Sequence, residues 1–215
     1  MNAGSAVFAY DSFGRRAGKN ILGTATNYLY DGLNPVQELA RAAPAANLLT
    51  GGLDEYFTRT DVNGTTHFLN DALGSTMALS DSTGAIQTQY TYEPFGKTTL
   101  TGSASSNTHA YTGRELDETG LYYYRARYYD PSIGRFISED TWRFRAGVNF
   151  YAYANNNPIS WIDPLGLAAG VLKKSSARVG STARLQSTLV KLHGRKLTLW
   201  PTHRGLPWRN ARDAR

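Results

Sequence analysis

A chain of 215 residues has room for one substantial domain, or for a domain with an appendage. It contains no cysteine, which excludes a disulfide framework and any Cys-ligated zinc site, and its 14 Tyr outnumber 8 Phe and 4 Trp, a balance that favours pleated sheet and turns over helix. The net charge of +6 is unevenly placed: residues 168–215 carry eleven Lys and Arg against Asp213 alone, +10, which leaves the first 167 residues at −4.

Along residues 1–110 a simple unit recurs, in which an alternating run ends in an aromatic-acid pair and a glycine turn follows. Phe8-Ala9-Tyr10-Asp11-Ser12-Phe13-Gly14 is one copy and Tyr28-Leu29-Tyr30-Asp31-Gly32 begins another. Phe68-Leu69-Asn70-Asp71-Ala72-Leu73-Gly74 has Asn in the Tyr place, and Tyr90-Thr91-Tyr92-Glu93-Pro94-Phe95-Gly96 has Glu for Asp. The acids are spaced by 20, 40 and 22 residues, which one degenerate unit of about twenty explains, a period typical of repeat architectures. Each unit reads as a β-hairpin. Ser75 to Ser80 alternates, Asp81-Ser82-Thr83-Gly84 supplies a turn, and Ala85 to Tyr92 alternates again with Ile86, Thr88, Tyr90 and Tyr92 on one face. Two stretches break the pattern: Asn34 to Leu53, with its Pro and Ala pairs, is expected to be a short helix or an irregular insertion, and Thr101 to Asn107 a polar loop. The fold class predicted is therefore mainly β, antiparallel hairpins in a curved sheet, with a short separate basic tail.

From Tyr111 the sequence becomes highly individual. It runs Tyr111-Thr112-Gly113-Arg114-Glu115-Leu116-Asp117, then Gly120-Leu121-Tyr122-Tyr123-Tyr124-Arg125-Ala126-Arg127-Tyr128-Tyr129-Asp130-Pro131, then Gly134-Arg135-Phe136-Ile137-Ser138-Glu139-Asp140. Asn149-Phe150-Tyr151-Ala152-Tyr153 and Asn155-Asn156-Asn157-Pro158 follow, and Asp163-Pro164-Leu165-Gly166-Leu167 closes it. Leu121 to Asp130 reads as one strand, aromatic on both faces and so covered on both sides. Arg125 and Arg127 share a face of it and are expected to stack on tyrosines or pair with acids. Asp130 to Gly134 and Asn155 to Pro158 are turns.

This stretch resembles the repeat-associated core of Rhs proteins over nearly its full length, and the upstream units resemble YD repeats more loosely. The chain then divides into YD-repeat hairpins at 1–110, the core at 111–167 and a variable tail at 168–215. The resemblance implies a hollow shell, wound from a strip of hairpins and plugged by the core, around a C-terminal segment that is often toxic. It also implies an intramolecular aspartyl protease that cuts after the Asp-Pro-x-Gly-Leu motif, here between Leu167 and Ala168, where the charge changes sign. Aspartyl chemistry needs two carboxyls sharing one proton. Asp140 occupies the family's Ser-x-Asp position, Asp163 and Asp130 are the alternatives for its partner, and Arg127 and Arg135 are the supporting cations. Thr141 stands where the family commonly has Pro. No metal or cofactor is expected. The partners implied are the chain's own C-terminal segment, an immunity protein and the secretion machinery of the parent system. About five units are too few to close a shell, so a C-terminal fragment of a longer wall is expected. Met1 to Tyr10 lacks the features of a signal peptide and no apolar run approaches the ~18 residues of a membrane span. The chain is expected to be made in the cytoplasm and its parent to be exported or displayed at the cell surface. The rival reading is a non-enzymatic module that binds carbohydrate or protein through exposed Tyr and Trp.

The tail offers little chemistry of its own. Gln186 to Leu192 fits two amphipathic helical turns and Arg195 to Trp200 a strand. His193 and His203 lack an acidic partner other than Asp213, which argues against a nuclease. Its charge alone makes the tail the one place where nucleic acid would be contacted, and it is expected to be poorly ordered or to pack apart from the sheet.

Overall fold

Each alternating run of the first hundred residues becomes a strand, and each Asp- or Gly-marked break becomes the turn that reverses it. The structure, a computed structural model, describes residues 5–143 and 147–167. The expectations for the tail fall outside them. Ten strands pair antiparallel in chain order, β1 (Ala6–Tyr10), β2 (Arg16–Ile21), β3 (Thr24–Asp31), β4 (Asn34–Ala40), β5 (Ala43–Thr50), β6 (Tyr56–Asp61), β7 (Gly64–Asn70), β8 (Thr76–Ser80), β9 (Ile86–Tyr92) and β10 (Thr98–Gly102). The sheet is open, with β1 and β10 at its margins. Mainly antiparallel β was the expectation, and that is the fold.

The turns repeat one construction. Asp11 Oδ1 accepts from the N–H of Phe13 and of Arg15, both at 2.9 Å, and Gly14 N–H closes on the Asp11 carbonyl at 3.0 Å. Asp71 and Asp81 do the same for Leu73 with Ser75 and for Thr83 with Ala85, and the glycine of each turn has positive φ. Short carboxylates suit this because they reach their own backbone two and four residues on. In six strand pairs the register slips by one residue, in three of them beside such a turn, as where Leu69 faces Ala78 but Asn70 faces Thr76, leaving Met77 over.

Two expectations need correction. Asn34 to Leu53 is neither helix nor insertion but β4, β5 and the turn after them. Pairing to β3 and β6 overrides the weak local pattern, and Pro35 and Pro44 are tolerated because each sits second in its strand, beside a register slip. The 40-residue gap thus holds one more repeat, whose turn at Gly51–Glu55 lacks the aromatic-acid pair. Leu121 to Asp130, in turn, is not one strand. It is the hairpin of β12 (Tyr122–Tyr124) and β13 (Arg127–Asp130), which with β11 (Glu115–Leu116) and β14 (Arg135–Phe136) makes a second, four-stranded sheet. Arg125 lies in the turn, so it and Arg127 do not share a face. The polar loop expected from Thr101 starts two residues later, after β10.

The second sheet rests on the end of the first where five repeat turns line up, and every one of them is tied to it or to the segment that leads into it. Tyr123 Oη accepts Arg16 N–H at 3.0 Å, Arg125 donates to the Leu33 carbonyl, and Arg114 and Arg125 pair with Asp54. Ser75 Oγ accepts Thr112 N–H at 3.1 Å, and Tyr129 Oη donates to the Phe95 carbonyl at 2.7 Å. Behind these contacts Tyr124, Tyr129, Phe136 and Tyr153 form a buried aromatic cluster with ring centroids 4.5–5.9 Å apart. Such pairs add about 0.5–1.5 kcal/mol each beyond burial. The tyrosine-rich composition is explained here: ring bodies fill the core while hydroxyls reach carbonyls that would otherwise be orphaned.

Candidate active site

The Asp163-Pro164-Leu165-Gly166-Leu167 segment is one more turn of the repeat's own construction. Asp163 Oδ1 accepts Leu167 N–H at 3.1 Å, four residues on, and Gly166 takes φ +65° as Gly14 takes +76°. Here, however, the Asp and the Gly of the turn are buried. A Cβ on Gly166 would run into the Tyr124 carbonyl oxygen, so no other residue fits. Asp163 itself is only 2% exposed.

Arg127, on β13, organises what surrounds it. Its Nη2 meets Asp140 Oδ2 at 2.8 Å and Asp163 Oδ2 at 3.4 Å. Its Nε donates to the Gly166 carbonyl at 2.5 Å, its Nη1 to the Phe150 carbonyl at 2.9 Å, and its plane lies on the Phe136 ring at 3.6 Å. Arginine suits this post because a planar fork can serve two carboxylates and two carbonyls at once. Asp140 is fixed from its own side, its N–H donating to the Phe150 carbonyl at 3.0 Å and its Oδ1 accepting Trp142 N–H at 2.7 Å.

Burial dominates the charge balance. It lifts Asp163 to about 6; the Leu167 and Gly166 N–H groups and Arg127 hold it down in part, while nearby Asp140 pushes further up. Burial also draws the Arg127 guanidinium below its ordinary value, against the pull of the two carboxylates. A buried carboxyl that keeps a proton to mildly acidic pH, next to a second carboxyl, is the arrangement in which one group can donate while the other accepts.

Of the residues singled out in the sequence, Asp140, Asp163, Arg127 and Leu167 are brought together. Asp130 is not, because it lies three residues from Arg127 on the same strand and so faces the other way. Its Oδ1 accepts from Ser132 N–H at 2.8 Å and from Ser132 Oγ, capping its own turn. Arg135 pairs across from Asp130 and is exposed. Ala168 lies outside the described residues. Sequence reasoning missed Asp54, which pairs with Arg114 and with Arg125 from residues 60 and 71 positions away. The only signal for it was an aspartate in the turn that the repeat period requires near residue 51. Among the described residues no group of three His, Asp or Glu could hold a metal, and no helix is long and apolar enough to cross a membrane.

The teneurin YD-shell family matches residues 7–159, which takes in nearly all of both sheets and Asp140 and ends before Asp163. The chain belongs to this YD-shell family. Among its relatives, the tRNA nuclease WapA of Bacillus subtilis is 38% identical over 172 residues, 75% of this chain and 7% of that protein. Double-stranded DNA deaminase toxin A of Burkholderia cenocepacia is 30% identical over 196 residues, 75% of this chain and 14% of that protein. Among solved structures, the TcdB2-TccC3-Cdc42 assembly aligns with a TM-score of 0.65 at 30% identity, covering 75% of this chain and 9% of that one. This YD-shell chain thus spans less than a sixth of the length of each, and its relationship is to toxins of the Rhs type.

Proposed function

We propose that this chain is the closing end of a toxin shell wall, which cuts itself after Leu167 and so frees the segment beyond. The observation that carries this reading is the burial of Asp163 inside the Asp-Pro-x-Gly-Leu turn, with its carboxyl on Leu167 N–H and Asp140 held on the same arginine nitrogen. In the reaction one ionised carboxyl takes a proton from water as its oxygen bonds to the Leu167 carbonyl carbon. The other, protonated, carboxyl donates to the carbonyl oxygen. Collapse of the tetrahedral adduct breaks the bond to the Ala168 nitrogen, which leaves with a proton, giving a Leu167 carboxylate and a free Ala168 amine. Arg127 keeps the two carboxyls and the Gly166 carbonyl in register. A closed wall around the freed segment would contain it until release. The relatives support a detachable cargo: a tRNA nuclease and a DNA deaminase match similar shares of this chain, so different activities accompany one kind of wall.

Intact-mass measurement of the full chain tests the reading. A fragment ending at Leu167 is expected, and Asp140→Asn, which keeps shape and removes the ionisable group, is expected to leave the chain whole. A wild-type chain that stays intact across pH 5–8 would favour a non-enzymatic binding module instead.

A further inference from the structure

We propose that Arg125 is a positioning residue for the cut at Leu167, making cleavage conditional on the repeat wall being folded against the core. This rests on the self-cleavage reading and adds to it a requirement that Asp140 and Asp163 by themselves do not impose.

Arg125 occupies the hairpin turn between β12 and β13 with φ +56°, in the left-handed region where an arginine costs energy that a glycine would not. Its guanidinium is nonetheless almost enclosed, with the side chain 10% exposed. It makes contacts in three directions. It pairs with Asp54 in the β5–β6 turn, Nη2 to Oδ1 at 2.7 Å and Nη1 to Oδ2 at 3.1 Å. It donates to the Leu33 carbonyl in the β3–β4 turn at 3.2 Å. It also donates to the Pro164 carbonyl inside the cleavage turn, and the next residue, Ala126, gives its N–H to the Leu165 carbonyl at 3.3 Å. One side chain therefore ties two repeat turns to the residue that follows Asp163.

Arg127 on the Gly166 carbonyl and the close seat of Gly166 against Tyr124 hold the end of the turn, but its Leu165 side is half exposed and thinly packed. Leu165 and Leu167 border a cavity of about 300 Å³ whose other walls include Phe13, Tyr30 and Leu33. Packing, which normally fixes a buried loop, is missing there, so hydrogen bonds set its position. If the wall's turns are not in place, Arg125 loses Asp54 and Leu33, and with them the anchor that lets it hold Pro164. Asp163 is one residue from Pro164, and a misplacement of about 1 Å at a reacting group costs on the order of a hundredfold in rate.

The experiment follows the full chain from cell-free synthesis, reading the fraction cut at Leu167 against time and pH. Circular dichroism and thermal melts of each purified variant report folding. Arg125→Gly removes the clamp and relieves the turn, while Asp54 keeps Arg114. It is expected to fold and to cut on the order of a hundredfold more slowly. Arg125→Lys restores the charge toward Asp54 but cannot span two carbonyls, so an intermediate rate is expected. Both variants should keep the wild-type pH limits, since positioning scales the rate without changing the carboxyls that titrate. Folded Arg125→Gly cutting at the wild-type rate, or pH limits that move with the clamp, would overturn the proposal. Should Arg125→Gly fail to fold, Arg125→Lys decides alone: slower cutting supports the clamp and wild-type cutting removes it. A wild-type chain that never cuts takes down the self-cleavage reading and this inference together, whereas equal rates in all three chains remove only the inference.

Discussion

Replacing Asp163 by Asn should make the folded chain more stable at neutral pH, the reverse of what loss of an ion pair normally does. Burial holds the Asp163 carboxyl at about 6 in the folded chain, against an ordinary 3.8 once unfolded. Between those values the folded state binds the extra proton, so the stabilisation is complete below pH 3.8 and is lost as pH rises through 6. By pH 7.5 the loss amounts to about 3 kcal/mol, at about 1.4 kcal/mol for each tenfold change in proton affinity. Asn fills the same space and carries no charge, so Asp163→Asn escapes that loss. Urea melts at pH 3.5 and pH 7.5, on samples shown by mass to be uncut, measure it. The variant's advantage should grow by up to about 3 kcal/mol between the two, roughly 1.5 M in midpoint for a slope near 2 kcal/mol/M. Carboxylates distant from Asp163 titrate equally in both chains and cancel. A variant that loses ground at pH 7.5 would refute the reasoning, because it would mean that the Arg127 contact outweighs burial.

Gly166→Ala should lower the melting temperature and slow any cut, since its Cβ meets the Tyr124 carbonyl and φ is +65°, a strain of roughly 1–3 kcal/mol; an unchanged melt would mean that the turn has room to move. Glu115 behaves oppositely to Asp163: burial pushes it up, but Arg16 and neighbouring cations pull it down to about 2. Its contribution is therefore present above 4.5 and lost as pH falls through about 2. Glu115→Gln should cost about 3–5 kcal/mol at pH 7 in chemical denaturation, because it breaks a buried pair, and less at pH 2.5; an equal cost at both would place the effect in packing.

Much of the wall was legible in the sequence because its causes are local. An Asp that bonds its own backbone, a Gly at positive φ and period-two alternation specify most of the hairpins without reference to anything distant, and the recurrence of Asp11, Asp31, Asp71 and Glu93 marked their order. That Asp140 and Asp163 lie together was also within reach, through the resemblance that the Tyr111 to Leu167 motifs carry. Tertiary structure decided the rest. Asn34 to Leu53 became strands because β3 and β6 offered unpaired edges, which no local propensity encodes. Leu121 to Asp130 broke at Arg125 because that side chain is held by Asp54, Leu33 and Pro164, groups 39 to 92 positions away in the chain. The choice of Asp163 over Asp130 beside Asp140 followed from the same fold, since strand alternation turned Asp130 away from Arg127 while burial of the last turn brought Asp163 to it. Sequence spacing fixes which groups can cap their own turns, whereas charge partners across the core depend on how two sheets meet.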